Sequence, residues 1–276
     1  MDLTRRTLLT SAALAVPAAA LVGQAPASAA RSARTKSADI TLAAFHAFMA
    51  ERGFKPIVPL PLVGGPAATH GYTYDEGMTR TDWRNRRYVV QPCARVDDIA
   101  KSRKHGVLPL FTLAAFQTSP KKALPLTIAF LVDVMGLKRD DLTVTTIRGN
   151  PFLPSVKKAG LKRSQVILRD TAETKKAGDG SGWFIDPATG QGNPSMSVEY
   201  HRGSRSLEIA EGGLCMGLPD CPAHFGVGIE RVTWAAAGPI DTWDDVLPRL
   251  LAYTTTVNNS SGTPLPAGYE TFKAGL

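Results

Sequence analysis

The chain has 276 residues, 43% of them hydrophobic and 20% charged, a balance that supports a buried core and excludes disordered and collagen-like chains. Lys and Arg outnumber Asp and Glu by 32 to 24, a formal net charge of +8, without the dense basic blocks of a histone-like or polybasic membrane-binding protein. The positive residues are spread along the chain and aromatics are 7%, which weighs against a nucleic-acid-binding surface.

Met1 to Ala30 reads as an export signal. Arg5-Arg6 give a basic start, Leu8 to Val22 an apolar stretch, and Ala27-Ser28-Ala29 a small-residue cleavage site, so residues 1–29 are set aside as a signal peptide. The run Thr4-Arg5-Arg6-Thr7-Leu8-Leu9 matches the twin-arginine pattern, a route for proteins folded before export; an ordinary secretory signal with a basic n-region is the alternative. The expected location is extracellular or extracytoplasmic. After residue 30 no apolar run approaches the roughly 20 residues that span a bilayer.

Residues 30–38 are small and polar, a flexible tether. A helix follows from Ile40, with Ile40, Ala44, Phe45, Phe48 and Met49 on one face, Asp39 as N-cap and Gly53 as stop. Lys55 to Val63 is apolar and extended, but its three prolines restrict it to a sheet edge or an irregular strand. Gly64 to Trp83 reads as loop. Arg86 to Val96 and Gly106 to Phe116 read as the two strands of a long hairpin whose loop is Asp97 to His105. Pro120 opens a helix, Lys121 to Met135, ended by Gly136. Short strands are expected at Leu142–Ile147, Val166–Arg169, Gly182–Ile185, Met196–His201 and Arg205–Ala210. The run from Phe225 to Val232 passes from a glycine-containing strand into a helix through Ala237, and Thr242 caps a last helix from Trp243 to about Val257. Residues 258–276, rich in Ser, Gly and Pro, read as a flexible tail. Strands grouped in one antiparallel sheet, with helices at the start, middle and end of residues 39–257, predict an α+β domain.

Of three cysteines, Cys215 and Cys221 could close a small loop by a disulfide outside the cytoplasm, and Cys93 sits in an apolar run as a buried thiol. With no CxxC or HxxxH pair and five scattered histidines, zinc and other protein-bound metal sites are not expected.

GVGIERV at 226–232 is the sharpest local signal. Gly226 and Gly228 let the backbone approach a ligand, and Arg231 at the start of the next helix offers a rigid multi-donor group suited to phosphate. Taken alone, it is also compatible with a surface Glu230–Arg231 pair.

In chain order, FHAFMAERGFKPIVPLPLV (45–63), QPCARVDDI (91–99), FLVDVMGLKRDDLTVTTI (130–147), AGLKRSQVILRD (159–170) and GVGIERV resemble the motifs of class II aminoacyl-tRNA synthetases, closest to the catalytic core of the alanyl-tRNA synthetases. The resemblance runs from about residue 40 to about 240. It implies an antiparallel sheet flanked by helices that binds ATP and Mg2+ and activates an amino acid or another small acid as its adenylate. It places Arg95 on the α-phosphate and substrate carboxylate, Arg231 on the γ-phosphate, Gly226 and Gly228 at the floor of the adenosine site, and Glu230 among the ATP-binding residues. Two arginines and a magnesium ion suit a step in which a carboxylate approaches a phosphate that repels it.

Three departures stand out. His224 occupies the position where the alanine-specific family keeps an aspartate for the substrate ammonium. The loop after Arg95 is cut to Val96-Asp97-Asp98-Ile99, and Val107 to Ala115 are apolar where the family is polar. Glu208, Glu211 or Asp179 would have to replace the ammonium partner. The family's tRNA-binding helices, editing domain and oligomerising tail have no counterpart in these residues, which argues against tRNA charging. Two functions are therefore expected: a truncated alanyl-type ligase forming an aminoacyl or acyl adenylate, or an exported, catalytically inactive paralogue that binds a small ligand. The retained arginines favour the first; the scarcity of ATP outside cells favours the second.

Overall fold

The computed structural model describes residues 38–63, 84, 86–101, 107–185, 190–214, 222–238 and 243–276. The signal peptide, the 64–83 loop, Cys215, Cys221 and the Thr242 cap lie outside them.

Helix α1 (Ala38–Glu51) turns Thr41, Phe45, Phe48 and Met49 inward, a helical spacing of three and four. It begins two residues earlier than expected, so Asp39 sits in its first turn instead of capping it, and the tether expected to reach residue 38 stops before it. Gly53, at φ +73°, turns the chain back in the left-handed conformation that favours glycine. Only Lys55–Pro56 of the proline-rich run joins the sheet, as β1. The expected hairpin is present as β2 (Arg87–Ala94) and β3 (Leu110–Thr118), paired from Tyr88↔Phe116 to Ala94↔Leu110. Helix α2 (Pro120–Ala129) takes Pro120 in its first turn and continues as a π turn over Phe130–Val134, with the Met135 N–H donating to the Phe130 carbonyl at 3.0 Å.

Strand β4 (Leu142–Ile147), helix α3 (Leu153–Lys158), β5 (Val166–Arg169), helix α4 (Thr171–Ala177) and β6 (Trp183–Ile185) follow. The two helices were not read from the sequence: at 6 and 7 residues they are too short to display a period. β7 (Gly192–Arg202) and β8 (Arg205–Leu214) form a hairpin, and β9 (Ala223–Gly228) runs directly into α5 (Ile229–Ala237).

The sheet order is β1-β2-β3-β9-β8-β7-β4-β5, with β6 beside β7. Its centre is antiparallel as expected, but both edges are not: β1 runs parallel to β2 and β5 parallel to β4. The architecture is α+β, an antiparallel-centred sheet flanked by helices. Ala223, Phe225 and Val227 of β9 face the helices and join Phe45, Phe130 and Phe152 in the main core; by strand alternation His224, Gly226 and Gly228 face the other way.

The expected flexible tail is folded. Helix α6 (Trp243–Ser261) extends past Val257, and α7 (Tyr269–Gly275) buries Tyr269 and Phe272 with Leu62, Ala94, Leu110 and Leu250. Composition misled here because Gly262, Pro264, Pro266 and Gly268 form the turn between helices while Ser260 and Ser261 complete α6, and the two aromatics that dock the segment are few. Asn258 is fully buried; its Nδ2 donates to the Leu62 carbonyl and its Oδ1 accepts from the Leu62 N–H, each at 2.9 Å. Asn258→Ala leaves both backbone groups buried without partners, so urea unfolding should show a loss of about 1–3 kcal/mol; a loss inside experimental error would show that the tail is not docked.

Candidate functional site

The sheet face opposite the main core collects the charged residues. On β8 this depends on an irregularity: Val198 pairs with Ala210 but Glu199 pairs with Glu208, leaving Ile209 as an extra residue. In a regular strand Glu208 and Glu211, three apart, would point to opposite faces. The bulge turns Ile209 and Ala210 both into the core, and puts both carboxylates on the outer face.

Arg231, in the first turn of α5, packs along Gly228. Its Nη1 donates to the Glu208 carbonyl at 3.2 Å and lies 3.5 Å from the Glu208 carboxylate. The two side chains are 23% and 33% exposed, so the pair is reachable by a ligand. Arg95, half-buried at the end of β2, sets its guanidinium 5.5 Å from the Phe111 ring and acts electrostatically on Glu208, Glu211 and Arg231. The two arginines expected to hold a phosphate chain therefore share one neighbourhood with the two expected carboxylates.

Glu211 pairs in register with Gly226, and Gly180 lies against its carboxylate so closely that a Cβ there would collide with it. Burial, then the neighbouring Glu208, pushes the Glu211 carboxyl up to about 8. Burial also raises Glu208, opposed by Arg231 and Arg95. At neutral pH Glu211 thus holds a proton, while Arg231 and Arg95 draw Glu208 back toward its charged form. His224 packs over Gly213 opposite Gln117, and burial pulls its pKa down to about 4, leaving a neutral imidazole.

Two of the expected ATP-binding residues are placed differently. Leu113 fills the space above Gly226, where a Cβ would stand 2.8 Å from its Cδ1, so this glycine serves close strand packing. Glu230 is 2% exposed and its Oε2 accepts the Thr112 N–H at 2.9 Å. One helical residue from Arg231, it points about 100° away, toward a cavity of about 200 Å³ lined by Thr112, Arg249 and Tyr253.

Asp179, the third candidate ammonium partner, lies in the turn 179–183, whose docking onto β7 was not read from the sequence. Asp179 holds Arg169 through both carboxylate oxygens at 2.8 Å, and the turn lies on β7 through Ser195 N–H to Gly182 O at 3.1 Å and Ser195 Oγ to Gly180 O. The Gly-Asp-Gly-Ser-Gly run at 178–182 is the signal that could have located it. Also missed is Gln91, in register with Leu113, which pairs with Gly228; its Oε1 is buried without a hydrogen-bond partner. Cys93 is a free buried thiol, pushed up to about 12 by burial and inert as a nucleophile.

The two guanidinium groups suit an anion such as a phosphate chain. They face the same region, and among the described residues no three His, Cys, Asp or Glu side chains gather as a metal site. Glu211 keeps its proton at neutral pH, so Glu208 and Glu211 do not fit a protein-held magnesium ion.

These shifts give stability a signature. Glu211 is neutral in the folded chain up to about pH 8 but ionises near 4.5 when unfolded, so the folded state binds the extra proton between those values and stability falls as pH rises through them. Glu211→Gln should flatten this decline, read from urea midpoints at pH 5 and pH 8; an unchanged decline would place Glu211 outside the pair. His224 acts at the other end, its uncharged burial costing stability as pH falls from about 6.5 toward about 4.

No family model and no curated protein matches the sequence. Solved structures similar to the chain include asparaginyl-tRNA synthetase of Entamoeba histolytica, alone (TM-score 0.40, 12% identity, covering 73% of this chain and 63% of that one) and in complex with asparaginyl-adenylate (TM-score 0.41, 12% identity, the same coverage of 73% and 63%). Pyrrolysyl-tRNA synthetase from Desulfitobacterium hafniense is similar at TM-score 0.36 and 13% identity over 75% of each chain. The chain spans 63% of the length of the asparaginyl enzyme.

Proposed function

We propose that this chain is an ATP-binding core of class II synthetase type that joins a small carboxylic acid to AMP as an adenylate, without charging tRNA. What carries the reading is the meeting of Arg95 and Arg231 with Glu208 and Glu211 on one sheet face, in the motif order of the sequence. In the reaction a carboxylate oxygen bonds to the α-phosphorus while the bond from that phosphorus to the bridging oxygen breaks, and pyrophosphate leaves with the electron pair. Arg95 offsets the charge where the two anions meet; Arg231 holds the far phosphate after displacing Glu208.

The substrate follows from the counter-charges. Neutral His224 offers none to an ammonium, and Glu211 offers one only once it ionises, at about pH 8. The favoured acid lacks a free α-ammonium or has it held by Glu208 or Glu211, and alanine, whose ammonium would meet neutral His224, is a poor substrate at neutral pH. ATP–pyrophosphate exchange across amino acids and simple carboxylic acids tests this: exchange with non-amino acids is expected, and robust alanine-dependent exchange at pH 7 would contradict it. The second reading is an exported, inactive paralogue that binds a small ligand; the existing Arg231–Glu208 contact, which already neutralises half of the clamp, favours it. Exchange with no acid at all would decide for it. In either case the protein is exported with a mature start near Ala30, and an intact Met1 on all soluble protein would contradict that.

A further inference from the structure

We infer that the cavity between α1, α5, α6 and β3 binds a small primary amine with an apolar body. Its volume is about 200 Å³, more than the cavity of about 150 Å³ that accepts benzene in an engineered protein core, so a six-membered ring carrying one amino group fits. Arg95, Arg231, Glu208 and Glu211 take no part in its wall, and the inference does not rest on the proposed function.

Val246, Arg249, Leu250 and Tyr253 recur on α6 at spacings of three and four, which puts them on one side of that helix. With Leu42 of α1 and Ile229 of α5, Val246 and Leu250 give an apolar body its contact surface. The charges are unequal. Asp39 and Arg249 pair with each other, both more than half exposed, so they mark the solvent end of the cavity and offset one another. Glu230 marks the inner end, 2% exposed. Its hydrogen bonds come from neutral groups, the Thr112 N–H at 2.9 Å and its own N–H among them, and Arg249 is the weakest influence on it. Tyr253 does not serve as its partner, because the Tyr253 hydroxyl donates to the Val90 carbonyl at 3.1 Å. A buried carboxylate held by neutral donors lacks an opposite charge. An ammonium supplies that charge and donates to a carboxylate with about four lone-pair sites. An anion would be repelled at the inner end, and a neutral alcohol would leave the charge unpaired.

Calorimetric titration at pH 7 with cyclohexylamine, a cation at that pH, should show saturable binding at millimolar concentrations. Cyclohexanol, of the same shape without the charge, should bind at least tenfold more weakly, and cyclohexanecarboxylate should not bind. Glu230→Gln should weaken the amine at least tenfold. That variant also loses the Thr112 contact, so Leu42→Trp is paired with it: the larger ring fills the cavity from a half-buried position, keeps Glu230, and should abolish binding in a chain that still unfolds cooperatively. Arg231→Ala, on the outer sheet face, should bind the amine as wild type does. No saturable binding, the alcohol or the carboxylate binding as tightly as the amine, or amine binding unchanged in either folded cavity variant would each overturn the inference. Loss of amine binding in Arg231→Ala would move the amine to the outer face and overturn it as well. A wild type that binds the amine but not ATP would leave this site standing while the adenylate reading fails.

Discussion

Phe225→Ala is expected to lower the unfolding free energy by about 3–5 kcal/mol, the range for removing a fully buried aromatic ring. Phe225 is completely inaccessible, meets Phe152 edge to face at a centroid distance of 6.1 Å, and covers Gly212 directly across the β8–β9 ladder. A Cβ at Gly212 would run into the ring, so glycine and phenylalanine form one packing unit in which neither can change alone. The truncation leaves a void between β9 and the helices, and β9 carries His224, Gly226 and Gly228 on its other face. Urea unfolding should show a lower midpoint with an unchanged m-value. A loss under about 1 kcal/mol would mean that the sheet is not packed as described.

Arg231→Ala should weaken ATP binding by about 1.5–3 kcal/mol, the range for hydrogen bonds to charged groups, roughly 10- to 150-fold in Kd. Stability should change little, because the Arg231–Glu208 contact is long at 3.5 Å and partly exposed, and such pairs contribute about 1 kcal/mol or less. Glu208→Gln should act in the opposite direction and tighten ATP binding, since the carboxylate competes with phosphate for the guanidinium. Glu230→Gln is the control from the same motif. It disturbs the bond to the Thr112 N–H and so should lower stability while leaving ATP affinity alone. Calorimetry with urea unfolding separates the two responses, and equal effects of Arg231→Ala and Glu230→Gln on ATP affinity would refute the division of roles.

Much of this arrangement was legible in the residues. The β2–β3 hairpin, the strand-to-helix passage at Gly228 and the positions of Arg95 and Arg231 follow from local patterns, because apolar runs, turn residues and glycines act over a few positions. What was not legible depended on partners distant in sequence. Spacing alone puts Glu208 and Glu211 on opposite faces, and only the register of β8 against β7 inserts the bulge that unites them. Glu230 and Arg231 are adjacent and both charged, yet the helix turns one toward β3 and the other toward Glu208. The parallel edges are set by crossovers, and the docking of residues 258–276 by one asparagine and two aromatics. The turn at 178–182 was visible as glycines but not as a neighbour of Glu211, since that contact spans some thirty residues.

The central claim is that Arg95 and Arg231 form one anion site on the outer sheet face, and calorimetric titration of the protein with ATP and magnesium tests it most directly, with the Arg95→Ala/Arg231→Ala double variant beside it. The account predicts one ATP per wild-type chain and no measurable binding to a double variant that still unfolds cooperatively. Absence of binding to the wild type, or equal binding to both proteins, would contradict it.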